Sequence, residues 1–271
     1  MCALLLPLLK TEKGEMMKGL VAVVGLVLLL GVVASAGGLE LFVGAGPGGA
    51  ALDDINAKIT LFNHIIADLN ETPTIDGNVP LIPDLGRGIA YQAGERYWVT
   101  DSFAVGGKLE YFRTETSTSG SYTESDETSK IAIDLGCSFI GFVLTGQFNF
   151  FSYGLTIGVH GGIGYYYSGF TTSITFQMPS SYPPISLYPQ EGEGHYNTQS
   201  LGFEAGISFS YQLSEWLGLT ADITYRALTA PTITDAHGNG LDLDGDGTAE
   251  RIDLSGISVQ FGVSLAVQLP L

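Results

Sequence analysis

From Ile257 to Leu269 every odd-numbered residue is apolar: Ile257, Val259, Phe261, Val263, Leu265, Val267 and Leu269. Between them lie Ser258, Gln260, Gly262, Ser264, Ala266 and Gln268. Side chains on a strand point alternately to opposite faces, so period two over this length specifies a β-strand with one apolar face. A chain built from such strands either hides that face in a core or turns it toward lipid. The choice decides the class of protein.

The alternation recurs along the chain. Leu201, Phe203, Ala205, Ile207, Phe209, Tyr211 and Leu213 oppose Gly202, Glu204, Gly206, Ser208, Ser210 and Gln212. Leu219, Ala221, Ile223 and Tyr225 oppose Thr220, Asp222, Thr224 and Arg226. Leu155, Ile157, Val159, Ile163 and Tyr165 oppose Thr156, Gly158, His160, Gly162 and Gly164. Noisier versions run through "FAVGGKLEYF" (Phe103–Phe112), "LELFVGAG" (Leu39–Gly46) and "GIAYQAGERYWV" (Gly88–Val99). The last contains adjacent Glu95 and Arg96, so one charge faces the apolar side unless a bulge intervenes. In "KIAIDLGCSFIGFVLTGQFNF" the apolar set moves from odd numbers (Ile131 to Phe139) to even ones (Phe142 to Phe150). Such a slip predicts a β-bulge near Ile140-Gly141. Eight strands result. Brief turns at 100–102, 151–154 and 214–216 alternate with long loops at roughly 46–87, 116–128, 172–199 and 228–253, as in transmembrane barrels.

The polar face chooses the direction. A soluble barrel needs charged, solubilising residues outside, yet only 14% of the 271 residues are charged and 45% are hydrophobic. The polar face is mainly Gly, Ser, Thr and Gln, which suit the narrow interior of an eight-stranded barrel. The other face is Leu, Ile, Val and Phe, with Tyr97, Tyr111, Tyr165, Tyr167, Tyr211, Trp216 and Tyr225 toward strand ends, a band with aromatic girdles. The expected fold is therefore all-β: an eight-stranded antiparallel up-and-down transmembrane barrel with the apolar face in lipid. Over essentially all of residues 37–271 the chain resembles the small eight-stranded outer-membrane barrels of Gram-negative-type bacteria, the OmpA-like and OmpW-like group. The resemblance implies a bacterial outer-membrane location with outer-membrane lipid around the wall. Two features depart from that group: no periplasmic peptidoglycan-binding domain follows, and the chain ends in Pro270-Leu271 where members end in an aromatic residue.

Residues 17–36, "MKGLVAVVGLVLLLGVVASA", combine Lys18, an apolar run from Leu20 to Val33 and Ala34-Ser35-Ala36. They read as a cleaved secretory signal behind an upstream extension over 1–16. Cleavage after Ala36 leaves 8 basic and 26 acidic residues, a net charge of −18. Without a basic patch, nucleic acid is excluded as a partner. Only Cys137 survives processing, so no intramolecular disulfide forms in the exported chain.

Three features could carry chemistry. The polar face brings Glu40, Arg96, Lys108, Glu110, Asp134, His160, Glu204, Asp222 and Arg226 into the expected lumen, as a salt-bridged plug or, alternatively, as the selectivity-setting charges of a narrow channel. "DLDGDGTAERID" places Asp242, Asp244 and Asp246 at positions 1, 3 and 5, Gly247 at 6, Thr248 at 7, Glu250 at 9 and Asp253 at 12, the pattern of a twelve-residue Ca2+ loop. A solvated acidic turn is the plainer account of the same residues. In the first long loop Leu52, Ile55, Ile59, Phe62, Ile66 and Leu69 recur at helical spacing, with Asp53 and Asp54 in the first turn. This amphipathic helix is expected to cap the barrel mouth. His64, His195 and His237 fall in long loops, but no Ser/His/Asp or H-E-x-x-H spacing accompanies them. The expected role is non-enzymatic: envelope structure or interaction with a surface ligand or envelope partner through acidic loops. A narrow passive channel is the alternative, and a rim hydrolase a third reading.

Overall fold

The computed structural model describes residues 38–73, 76–124, 127–177, 192–230, 232–243 and 247–267. Residues 1–37, with the signal segment, and residues 268–271 lie outside them. Eight long strands form the wall: β1 (Leu39–Gly49), β2 (Arg87–Trp98), β3 (Phe103–Glu124), β4 (Glu127–Tyr153), β5 (Leu155–Gln177), β6 (Gly192–Gln212), β7 (Leu217–Ala227) and β8 (Gly256–Val267). Each pairs antiparallel with its neighbours in sequence, and β8 returns to β1 with Leu39 opposite Val267, closing the ring. Closure removes every edge that lipid could not hydrogen-bond.

The strands are unequal. β1, β2, β7 and β8 have 11 or 12 residues, close to the 9–11 or so that a tilted crossing needs. β3, β4, β5 and β6 have 22, 27, 23 and 21 residues and stand far above the other four as a wall. Within the loops expected at 116–128 and 172–199, residues 116–124, 127–128, 172–177 and 192–199 are therefore strand. The cause is visible in "TETSTSGS": serines and threonines on both faces look like a loop, yet the inner ones here have partners inside the protein.

The predicted bulge at Ile140-Gly141 is absent. Pairing runs unbroken through Glu110↔Gly141 and Tyr111↔Ile140, and the irregularity on β4 lies at Asn149/Phe151. What changes is the environment. In the lower part of the wall Tyr111, Ile140, Tyr165 and Leu201 are exposed outward while Lys108, Glu110 and Glu204 are buried inside. Higher up, Ile131, Ile133, Leu135, Phe170 and Ile174 are buried inside, and Ser117, Asp134 and Thr171 are exposed outside. The exchange occurs at the register row Arg113↔Ser138↔Gly169↔Asn197. This row is the outer boundary of the lipid-facing band. Gly141 has a different use from a bulge: a Cβ there would lie 2.3 Å from the Tyr166 ring, and Cβ atoms on Gly164 and Gly202 would lie 2.5 and 2.9 Å from it. Three glycines make the recess in which that ring lies.

Helix α1 (Asp53–Glu71) buries Ile55, Ile59, Phe62 and Ile66. They join Val79, Ile82 and Leu85 of the returning segment, Leu228, Ile233, Leu241, Leu243, Ile252 and Leu254 of the last long loop, and the inner face of the tall wall in one apolar core. That core is continuous with Phe112, Phe139 and Tyr166 inside the barrel, so the helix caps the mouth as expected. The returning segment is held on two sides. Asn56, Asn63 and Asn70, seven residues apart on α1, each donate to and accept from one backbone unit, at Leu85, Ile82 and Val79 respectively, at 2.7–3.0 Å. On the wall, Thr114, Thr116 and Thr118 donate to the carbonyls of Arg87, Pro83 and Pro80. Seven helical residues rise about 10.5 Å and three residues of extended chain reach about 10 Å, so the two repeats stay in step.

Candidate functional site

The inward positions of the short band form the candidate site. Lys108 lies 2.8 Å from Glu110 and 2.9 Å from Glu204, all three buried. Nearer the turns, Arg96 lies 3.8 Å from both Glu40 and Asp222 and over the Phe42 ring at 4.2 Å. Gln92 donates to Asp222 at 2.8 Å and accepts from Lys108 at 3.4 Å, linking the two clusters. Trp98 donates to Glu40 at 3.2 Å, and His160 Nε2 lies 3.1 Å from Thr224 Oγ1. Arg226 leaves the network: it donates to the Leu254 carbonyl at 3.1 and 3.2 Å and stacks over Phe139 at 4.1 Å, tying the barrel to the last loop. Burial of so many ionic groups is tolerable only where each finds opposite charge or a hydrogen bond.

Above these charges Phe112, Phe139 and Tyr166 are fully buried, with ring centroids 5.5 Å apart from Phe112 to Phe139 and from Phe139 to Tyr166. Tyr166 also donates to Glu110 at 3.3 Å. Below them, Phe42, Gln92, Gln147, His160, Glu204 and Asp222 border a cavity of about 10 Å³, the space of about one water. The lumen is filled.

Of the nine residues expected in the lumen, eight are there. Asp134 is the exception and is exposed on the outer face of the tall part of β4, because it lies beyond the row where inside and outside exchange. The residues that seal the lumen, Tyr166, Phe112 and Phe139, were not among the expected ones. Tyr166 is masked by its outward neighbours in "YYY", and its one available signal was the in-phase glycines opposite.

Of the expected calcium ligands, Asp244 and Asp246 lie outside the described residues. Asp242 accepts the Gly247 N–H at 2.9 Å, and Asp253 accepts that of Ser255 at 2.9 Å. Both Glu250 oxygens accept the Leu243 N–H, at 3.0 and 3.2 Å, and Lys58 of α1 stands 3.9 Å away. Burial pushes the Glu250 carboxyl above the ordinary carboxylate range. Among the described residues no three His, Cys, Asp or Glu side chains gather at one point. Thr248 lies in the same irregular loop. Asp235 accepts from the Asn239 side chain, which holds its carboxyl below the usual range, and from the backbone N–H groups of Asn239 and His237. Its hydrogen bond from His237 thus comes from the backbone N–H.

A closed ring of eight antiparallel strands, apolar outside over one crossing length and filled inside, decides the class. The fold is a transmembrane β-barrel. No protein-family model matches the chain, nor does any curated protein sequence. Among solved structures it is similar to the outer membrane protein OprG from Pseudomonas aeruginosa, at 12% identity and TM-score 0.40, covering 85% of this chain and 96% of that one. It is also similar to a major outer membrane protein from Thermus thermophilus, at 11% identity and TM-score 0.45, covering 86% and 100%. Neisserial surface protein A aligns at 10% identity and TM-score 0.36, covering 85% and 97%.

Proposed function

We propose that this barrel resides in the bacterial outer membrane, conducts no solute, and serves envelope structure or surface interaction through its folded acidic cap. The observation that carries the reading is the filled lumen: ionic clusters below, the Phe112–Phe139–Tyr166 layer above, and an apolar core over the mouth. A channel needs a continuous wet path, and an eight-stranded interior is just wide enough to be packed with side chains. Energy spent on ordering a cap beyond the membrane makes sense for a surface that meets something there, and loops on a rigid scaffold are where binding sites concentrate. The non-enzymatic reading is supported by the engagement of Asp235 with Asn239 and backbone groups.

Planar-bilayer recording tests the closed lumen. Intact protein is expected to give no discrete conductance steps above the lipid baseline, and stable ion-selective steps from folded protein overturn the reading. Surface exposure is tested by protease treatment of whole cells, which is expected to cut the cap while leaving the short strands intact.

A further inference from the structure

The adjacent charges Glu95 and Arg96 on β2 divide between the two faces. Arg96 is buried in the lumen, and pairing on both sides of β2 is regular (Leu41↔Glu95 and Glu95↔Gly107), so no bulge rotates Glu95 inward. Its side chain is on the lipid face. Six residues separate it from Ile89, on the row of Arg113 where the lipid-facing band ends. At about 3.4 Å per residue and about 40° of tilt it lies about 15 Å below that boundary, and about 10 Å above Val99 at the opposite rim. A carboxylate within an apolar band about 25 Å tall is expensive and marks a function with a partner to be named.

Among the described residues that partner is missing: Glu95 has no hydrogen bond or ion pair. The arginines of the same outer face, Arg113 and Arg87, stand three and four rows away at the outer boundary. Directly above Glu95 the wall is hollow. Ala45 and Ala93 form the floor of a groove of about 490 Å³, with Tyr91 and Tyr111 on one side and Phe261 and Val263 on the other. Ala93 is two residues from Glu95 on the same face, about 7 Å along the strand. Gly107, beside Glu95 on β3, adds no side chain to cover the carboxylate.

We propose that this groove binds a lipophilic monocation, an alkyl or aryl chain with a single ammonium group that enters from the bilayer. Its apolar part fills the groove over Ala45 and Ala93, and its charge meets Glu95 at the groove's foot. One carboxylate sets one positive charge, and the nearly polar-free groove excludes anionic and strongly hydrated solutes.

The test uses full-length folded protein in phosphatidylcholine vesicles. Dicyclohexylcarbodiimide, which partitions into lipid and adds to carboxyl groups there, is expected to label Glu95, read by peptide mass. Decyltrimethylammonium should slow that labelling about tenfold, the effect of a site about nine-tenths occupied. Decyl sulfate and decyl maltoside, with the same tail, should not. Ala93→Trp fills the groove and leaves the carboxylate in place, so it should retain labelling and lose protection. Glu95→Gln should lose both labelling and saturable binding of the cation. The proposal is overturned by absence of label at Glu95, by equal protection from all three decyl amphiphiles, or by protection that survives Ala93→Trp. It is also overturned if Glu95 is shielded without added cation and becomes reactive as the protein is diluted in lipid, since a second copy would then occupy the groove.

Discussion

Replacing Asn63 by Ala isolates what holds the cap together. Asn63 donates to the Ile82 carbonyl at 2.8 Å and accepts the Ile82 N–H at 2.7 Å, and Ile82 itself is buried. A hydrogen bond contributes about 1 kcal/mol net, but a buried donor or acceptor left without a partner costs about 1–3 kcal/mol. Both backbone groups of one residue are orphaned here, so cap docking should weaken by about 2–4 kcal/mol. The barrel below should not notice, because the lumen network shares no bond with Asn63. Native-state hydrogen exchange in detergent reads this directly. A loss of about 3 kcal/mol corresponds to about a hundredfold faster exchange of the Ile82 amide, with Val79 and Leu85 following as neighbours in the ladder. Asn63→Asp should retain the bond to the Ile82 N–H and place a carboxylate oxygen against its carbonyl, giving an intermediate effect. Unchanged exchange at Ile82, or equal acceleration in the β7 and β8 amides, would refute the ladder as the fastening of the cap.

The lumen charges predict that Lys108→Met destabilises the folded barrel by about 3–5 kcal/mol in urea titrations, since it leaves Glu110 and Glu204 buried together without their cation. Adding Glu204→Gln and Glu110→Gln to it should recover much of that loss. On the band, Val263 is exposed and Ser264 buried, so Val263→Arg should lose about 2–4 kcal/mol of folding stability in bilayers while Ser264→Ala folds normally; equal behaviour would reverse the faces. Gly141→Val should push the Tyr166 ring from its recess, slowing folding and raising bilayer conductance above the wild-type baseline. In the last loop, the folded Glu250 carboxyl holds its proton to higher pH than the unfolded one, which titrates near 4.5. Docking of this loop is therefore firmest below that unfolded value and loosens as pH rises through the raised folded value. Limited proteolysis across 228–255 should speed up over that window in the native chain and stay flat in Glu250→Gln.

The eight strands, the lipid-facing direction and eight of nine lumen charges were legible because period two is a local property that a barrel uses directly. Strand lengths were less legible. Thr114, Thr116 and Thr118 are inner residues, but they bond to carbonyls of a segment some thirty residues earlier, a relation without any local signature. The heptad of Asn56, Asn63 and Asn70 was present in "NAKITLFNHIIADLN", though asparagine on a helix reads as a solvated residue until a backbone is found to meet it. Gly141 suits a bulge by its position at the phase change, yet what the fold uses is its lack of bulk beside Tyr166. The spacing marks Glu250 as a candidate ligand of the expected ion, but it carries no sign that both Glu250 oxygens accept from the Leu243 backbone beneath the loop.

The exchange of faces on β4 shows why a change of alternation phase is ambiguous in principle. A bulge moves the backbone by one residue and keeps the apolar face in one medium. A strand that leaves the membrane keeps its backbone regular and changes the medium outside from lipid to water. Both give odd-numbered apolar residues on one side of a point and even-numbered ones on the other. Context separates them: a bulge is confined to one strand of a pair, whereas a membrane boundary must cut every strand at the same height. Here the outward residues turn from apolar to polar or small within one same-face step on four neighbouring strands, at Arg113, Ser138, Gly169 and Gln199. That coincidence selects the boundary. It also requires apolar residues inside the wall above the row, since water now surrounds it, and α1 with the last loop supplies the core they pack against. The cap is thus the physical consequence of strands continuing past the lipid, and the sealed mouth follows from the cap.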